Sequence, residues 1–176
     1  MRTKHFILTA LCAFVLLLTA QSSSAQFVNG KFLLGPHIGL SAYGSAPSFG
    51  ANFETAITQP GKAGPGIIGI SGRFDYFGFS EIYWKYTWIT IGVYANYHFA
   101  LEDKTWDPFL GLGLGYQNVS VSSIGDNTFN YGSAWGSGIF FSLQAGARYF
   151  FSDNLALRAL LGFGITYIVV GLDFGI

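Results

Sequence analysis

Charge is scarce in this sequence. Lysine, arginine, aspartate and glutamate make up 10% of its 176 residues, against about 25% for an ordinary soluble domain. A conventional wet exterior cannot be built from so few, so much of the surface must face something other than water. The formal net charge is zero, which removes the basic footprint that nucleic-acid binding needs. Cysteine occurs once, at Cys12. It lies mid-way through an apolar run with Leu11 before it, not the small residue of a lipoprotein signal. The chain beyond that run has no thiol for a disulfide or for a cofactor. It also has no later stretch of about 18 uninterrupted apolar residues, which excludes a transmembrane helix there.

Apolar and aromatic residues are plentiful instead, at 51% and 18%. Arg2, Lys4 and His5 give a positive start, residues 6–20 are apolar, and Ser23, Ser24 and Ala25 supply the small residues of a cleavage site. This is the pattern of a cleavable signal peptide over residues 1–25, with a single domain over residues 26–176 and Gln26 first in the mature chain. An apolar run over residues 6–20 is shorter than the roughly 20 residues that span a bilayer as a helix. Without Arg2 and Lys4, seven basic residues face nine acids. An exported chain this apolar, with no spanning helix, has two homes: an outer membrane, as a barrel, or the outside, as a soluble carrier barrel with its faces inverted. The carrier would show water too few charges to stay soluble.

Alternation bounded by turn residues predicts eight strands. Six cover 32–42, 49–58, 67–77, 87–99, 108–120 and 138–150, and the last two follow turns at 152–154 and 162–164. The final strand is the clearest. Ile168, Val170, Leu172, Phe174 and Ile176 share one face while Asp173 lies on the other, and a period of two is the mark of a strand. Connections after odd strands are mostly longer than those after strands four and six, the asymmetry of outer-membrane barrels. Unpaired edges would cost several kcal/mol per group in lipid, so the sheet must close. The fold class is therefore all-β, an eight-stranded antiparallel up-and-down transmembrane barrel.

Each strand's polar face would point into the lumen. There the sequence puts a charge network of Glu54, Arg73, Asp75, Arg148, Arg158 and Asp173. Further polar groups on that face are His37, Asn52, Asn96, His98, Gln117 and Gln144. A lysine or arginine facing mid-bilayer would cost about 2–4 kcal/mol, and an eight-stranded barrel is just wide enough for side chains to fill it. A structural plug is the expected role, with a salt-bridge-gated minor porin as the alternative. Gly111, Gly113 and Gly115 would leave lumen space for arginine and tyrosine. The two histidines have no second ligand at metal spacing, and no His, Ser and acid gather at one rim, so neither cofactor nor enzymatic activity is expected. Tyr97, Phe99, Tyr149, Phe151 and Phe174 would form one aromatic belt, at the periplasmic end; Tyr43, Trp84, Tyr86 and Trp88 would form the other.

The mature stretch resembles the small outer-membrane β-barrel family, which includes the transmembrane domain of outer membrane protein A and the protein X and opacity groups. The likeness is most specific in the run Gly146-Ala147-Arg148-Tyr149-Phe150-Phe151-Ser152-Asp153-Asn154-Leu155-Ala156-Leu157-Arg158, then in Gly162-Phe163-Gly164 and the final strand. It implies residence in the lipid bilayer of a Gram-negative outer membrane, as a monomer. It also implies insertion by machinery that reads the C-terminal strand. The family usually ends in an aromatic residue, whereas this chain ends in Phe174-Gly175-Ile176. Residues 78–86 and 121–137 are the loops expected to meet extracellular partners.

Overall fold

The computed structural model describes residues 27–124 and 136–176. Eight strands run in order: β1 (Phe32–Ser41), β2 (Pro47–Ala56), β3 (Ile67–Glu81), β4 (Trp84–His98), β5 (Trp106–Ser123), β6 (Gly138–Ser152), β7 (Leu155–Phe163) and β8 (Thr166–Gly175). Each pairs antiparallel with the next, and β1 pairs with β8 to close the barrel. Closure is set by Leu34 opposite Phe174 and Ile38 opposite Val170. No edge is left along those paired stretches, as a bilayer requires.

Because side chains alternate across a strand, the sequence sorts itself into two surfaces. Ile38, Leu112 and Leu161 are each at least 60% exposed, while every residue of the charge network is buried. Apolar side chains thus coat the outside and polar ones fill the inside. The interior is layered. Phe27, Leu33, Ala56, Ile67, Phe150 and Ala156 pack together at the end where β1 begins. Ala46, Phe77, Trp88, Val119, Phe140 and Ile165 pack together at the opposite, hairpin end.

Three expectations change. The anticipated loop 78–86 is nearly all strand, with only Ile82 and Tyr83 between β3 and β4. The reason is aromatic: Phe79 stands opposite Tyr86 in the ladder and stacks on it at 5.0 Å and on Trp88 at 5.5 Å. Loops after odd strands are accordingly not generally longer. The two-residue connections after β3 and β7 contrast with residues 57–66 after β2. What grows at the hairpin end is strand length, with 15 residues in β3 and 18 in β5. The last turn also moves. Gly162 stays in the ladder opposite Gln144, and Gly164, at φ +128°, makes the bend instead.

The aromatic belts change as well. Tyr97 packs edge-on against Phe99, and Tyr149 against Phe151 and Trp106, on the outer wall near the chain's ends. The other group turns inward. Trp88 is 7% exposed and stacks with Phe77 and Tyr43, with Tyr86 at 5.9 Å. Trp84 and Tyr86 share its strand parity, so all three point to the barrel axis. Trp88 and Tyr86 belong to an inner apolar cap, not to an interfacial girdle. The signal-peptide stretch and residues 125–135 of the 121–137 loop lie outside the described residues.

Candidate functional site: the charged interior

Between the two apolar layers lies a single connected set of buried polar side chains. Its centre is Arg148 on β6, with no exposed surface. The guanidinium contacts Glu54, donates from Nη1 to Asp107 Oδ2 at 3.2 Å, and from Nε to Asp173 Oδ2 at 2.7 Å. Phe27 and Phe109 flank it, with ring centroids 5.3 and 5.1 Å from its Cζ. A cation so enclosed is tolerated only when its charge and its N–H groups are met. Three carboxylates and two ring faces do that here.

Arg158 stands directly opposite Arg148 across the β6–β7 ladder. The repulsion expected of two adjacent cations is offset by Asp173, which approaches Arg158 Nε at 3.3 Å through Oδ1 while Oδ2 accepts from Arg148. Asn52 completes the corner, accepting from Arg158 Nη2 and donating to Asp173 at 3.2 Å.

A second arm runs the length of the lumen. Asp107 meets His98 Nδ1 at 2.8 Å, and His98 Nε2 lies 3.0 Å from Glu54. Both ring nitrogens face carboxylate oxygens, and only the doubly protonated ring donates to both. Asn96 donates to Glu54 at 2.6 Å and to Ser71 at 3.1 Å, and accepts from Gln144 at 2.7 Å. Gln144 accepts from Arg73 at 3.2 Å. Arg73 donates to Asp75 at 3.1 Å and to Tyr94 at 2.8 Å, with the Tyr94 ring 4.6 Å beneath it. Asp75 ends the arm at His37, 2.9 Å away, and accepts from Thr90 at 3.4 Å.

The structure therefore brings together all six charged residues singled out from the sequence, with His37, Asn52, Asn96, His98 and Gln144. Gln117 does not join them. It is only half-buried near the hairpin end, where its amide donates to the Gly136 carbonyl at 2.5 Å. Asp107 is the functional residue missed. Sequence reasoning left it between the strands expected over 87–99 and 108–120, yet extending the inward parity of Gly113 and Gly111 through Phe109 reaches it. The glycine run makes room, though not for arginine. A Cβ at Gly111 would lie 1.9 Å from Asn96 Oδ1, at Gly113 2.3 Å from the Tyr94 ring, and at Gly115 2.6 Å from Phe140. Among the described residues no group of three or more His, Cys, Asp or Glu could hold a metal ion.

A family model described as the outer membrane protein beta-barrel domain matches residues 10–171. The chain belongs to that family. No curated protein matches it in sequence. Solved structures share the fold at low identity. The N-terminal β-barrel domain of OprF from Pseudomonas aeruginosa is 16% identical, covering 84% of this chain and 98% of its own, with a TM-score of 0.60. The attachment invasion locus protein of Yersinia pestis is 13% identical over 85% of this chain and 100% of its own, at 0.57. Neisserial surface protein A is 16% identical over 84% and 95%, at 0.53. This protein is thus an outer-membrane β-barrel of a Gram-negative bacterium, and its apolar outer wall sits in the lipid bilayer.

Proposed function

We propose that the barrel is sealed: a membrane-anchored structural or surface-interaction protein, neither a channel nor an enzyme. The observation that carries this reading is the interior layering. A network of buried ion pairs fills the middle, and an apolar cluster stops each end. Opening a path would strand several buried charges at once, and breaking even one buried pair costs about 3–5 kcal/mol.

In this reading the signal peptide is cut after Ala25, the chain inserts through its C-terminal strand as a monomer, and both chain ends face the periplasm. The long β3, β4 and β5 then carry the 78–86 and 121–137 regions outward toward extracellular partners. The attachment invasion locus protein has been seen with a heparin analogue, sucrose octasulfate. Here the β3–β4 tip carries Lys85 and Glu81, one charge of each sign, and exposes Ile82 and Tyr83. That chemistry favours an apolar or protein partner over a polyanion.

Planar-bilayer recording tests the seal. The wild-type protein is expected to give no discrete conductance steps. Steps that vanish when Arg148 is replaced would overturn the sealed reading in favour of a minor porin gated by exchange of salt-bridge partners.

A further inference from the structure

A groove of about 690 Å³ crosses the outer wall, separate from the lumen. Its floor follows one row of the sheet: Asn96 opposite Gly111, Gly111 opposite Gln144, and Gln144 opposite Gly162. The side chains of Asn96 and Gln144 turn inward, so what they offer the groove is backbone. One bank is the neighbouring outward row of Ala95, Leu112, Leu143 and Phe163. The other is Tyr97, Leu110, Ala145 and Leu161, with Ile68 extending it onto β3.

Outward rows on a strand are two residues apart, about 6.6–6.8 Å. Bulky side chains on both banks would close such a gap. Ala95 and Ala145 hold it open, because each puts a methyl group where its neighbours put leucine or phenylalanine. The row crosses four strands at about 4.7–4.9 Å each and reaches a fifth at Ile68. The result is a long, narrow trough, within the volume of roughly 300–1,000 Å³ typical of ligand sites.

Its chemistry specifies the occupant. No charged residue lines it, and the Tyr97 hydroxyl is engaged by the Gly66 amide at 2.9 Å. The rows beyond both banks are also apolar, with Val93 and Leu114 on one side and Ala147 and Ala159 on the other. The groove therefore lies within the lipid-facing band, continuous with the surface the bilayer covers. A peptide there would carry backbone groups with no partner, at several kcal/mol each in lipid. A saturated chain needs no partner, and fits between banks at carbon–carbon contacts of about 3.5–4.0 Å.

We infer that this groove is a binding site for one acyl chain of a membrane phospholipid, which it holds more firmly than the fluid lipid elsewhere on the wall. The site is independent of the sealed-lumen reading, because no inward-facing side chain takes part.

Native mass spectrometry tests it on the full protein, refolded into vesicles of phosphatidylethanolamine and phosphatidylglycerol and then extracted into detergent. One phospholipid per barrel is expected to survive washing that strips the rest. Ala95→Leu with Ala145→Leu fills the trough and should cut the retained fraction at least fivefold, with Ala145→Val giving a smaller loss. Ala51→Leu, outward on β2 and remote from the groove, should change nothing. All these changes add carbon to a lipid-facing surface, so the barrels should still close, which the gel mobility of unheated samples reports. Equal retention by filled and wild-type barrels, or no retained lipid, overturns the site. A second barrel retained in place of the lipid overturns it too, and assigns the trough to self-association.

Discussion

Replacing Arg148 with methionine isolates the electrostatic role of the residue at the centre of the lumen. Methionine keeps much of the aliphatic stem between Phe27 and Phe109 but removes the charge. Glu54, Asp107 and Asp173 then lose their shared partner. His98 still lies between the first two, and Arg158 still touches the third. Removing one member of a buried ion pair costs about 3–5 kcal/mol. With three carboxylates affected, the upper part of that range is expected. For a urea slope of about 1–3 kcal/mol per molar, such a loss lowers the unfolding midpoint by on the order of 2 M. Reversible urea titration of the barrel in lipid vesicles, followed by tryptophan fluorescence and by gel mobility of unboiled samples, reads this directly. Adding Glu54→Gln to the methionine variant should recover much of the loss, because it removes the surplus charge while Asp107 keeps His98 and Asp173 keeps Arg158. A single variant within about 1 kcal/mol of wild type, or a double variant less stable than the single one, would refute the reasoning.

Four other substitutions probe the remaining layers and the hairpin tip. Trp88→Ala deletes the centre of the hairpin-end stack and should cost about 3–5 kcal/mol by the same titration. Gly113→Ala pushes a methyl group into the Tyr94 ring and should cost about 1–3 kcal/mol through overpacking, with near-ultraviolet circular dichroism reporting the displaced tyrosine. Leu112→Arg, on the outer wall, should cost about 2–4 kcal/mol if that position lies near the bilayer midplane. Ile82→Arg at the exposed hairpin tip should leave stability unchanged.

The parity of the strands was legible because one rule governs every position: water-loving groups go to the filled interior and apolar ones to lipid. Arg73 and Asp75, two apart on β3, announce an inward face by themselves. The rule weakens where the barrel leaves the bilayer. Phe79, Tyr86 and Trp88 satisfy it by packing on each other within the rim. For Tyr86 and Trp88 the residue type suggested an interface, whereas their parity correctly says inside. Asp107 escaped for a different reason. A carboxylate among Glu102, Asp103 and Lys104, just before Pro108, looks like turn chemistry, and nothing local shows that β5 already begins at Trp106. Which arginine meets which acid was not legible at all. Contacts such as Glu54 with Arg148 join residues far apart in sequence, and only closure of the barrel specifies them.

That remoteness bears on how the barrel is built. Arg73 finds Asp75 within its own strand, so that pair asks nothing of any other strand. Arg148 and Arg158 arrive side by side on β6 and β7, and the carboxylate that separates them is on β8. The final strand is thus a chemical latch as well as a seam: the carboxylate that separates two adjacent cations rides on the strand that closes the sheet, so charge balance and closure are one requirement.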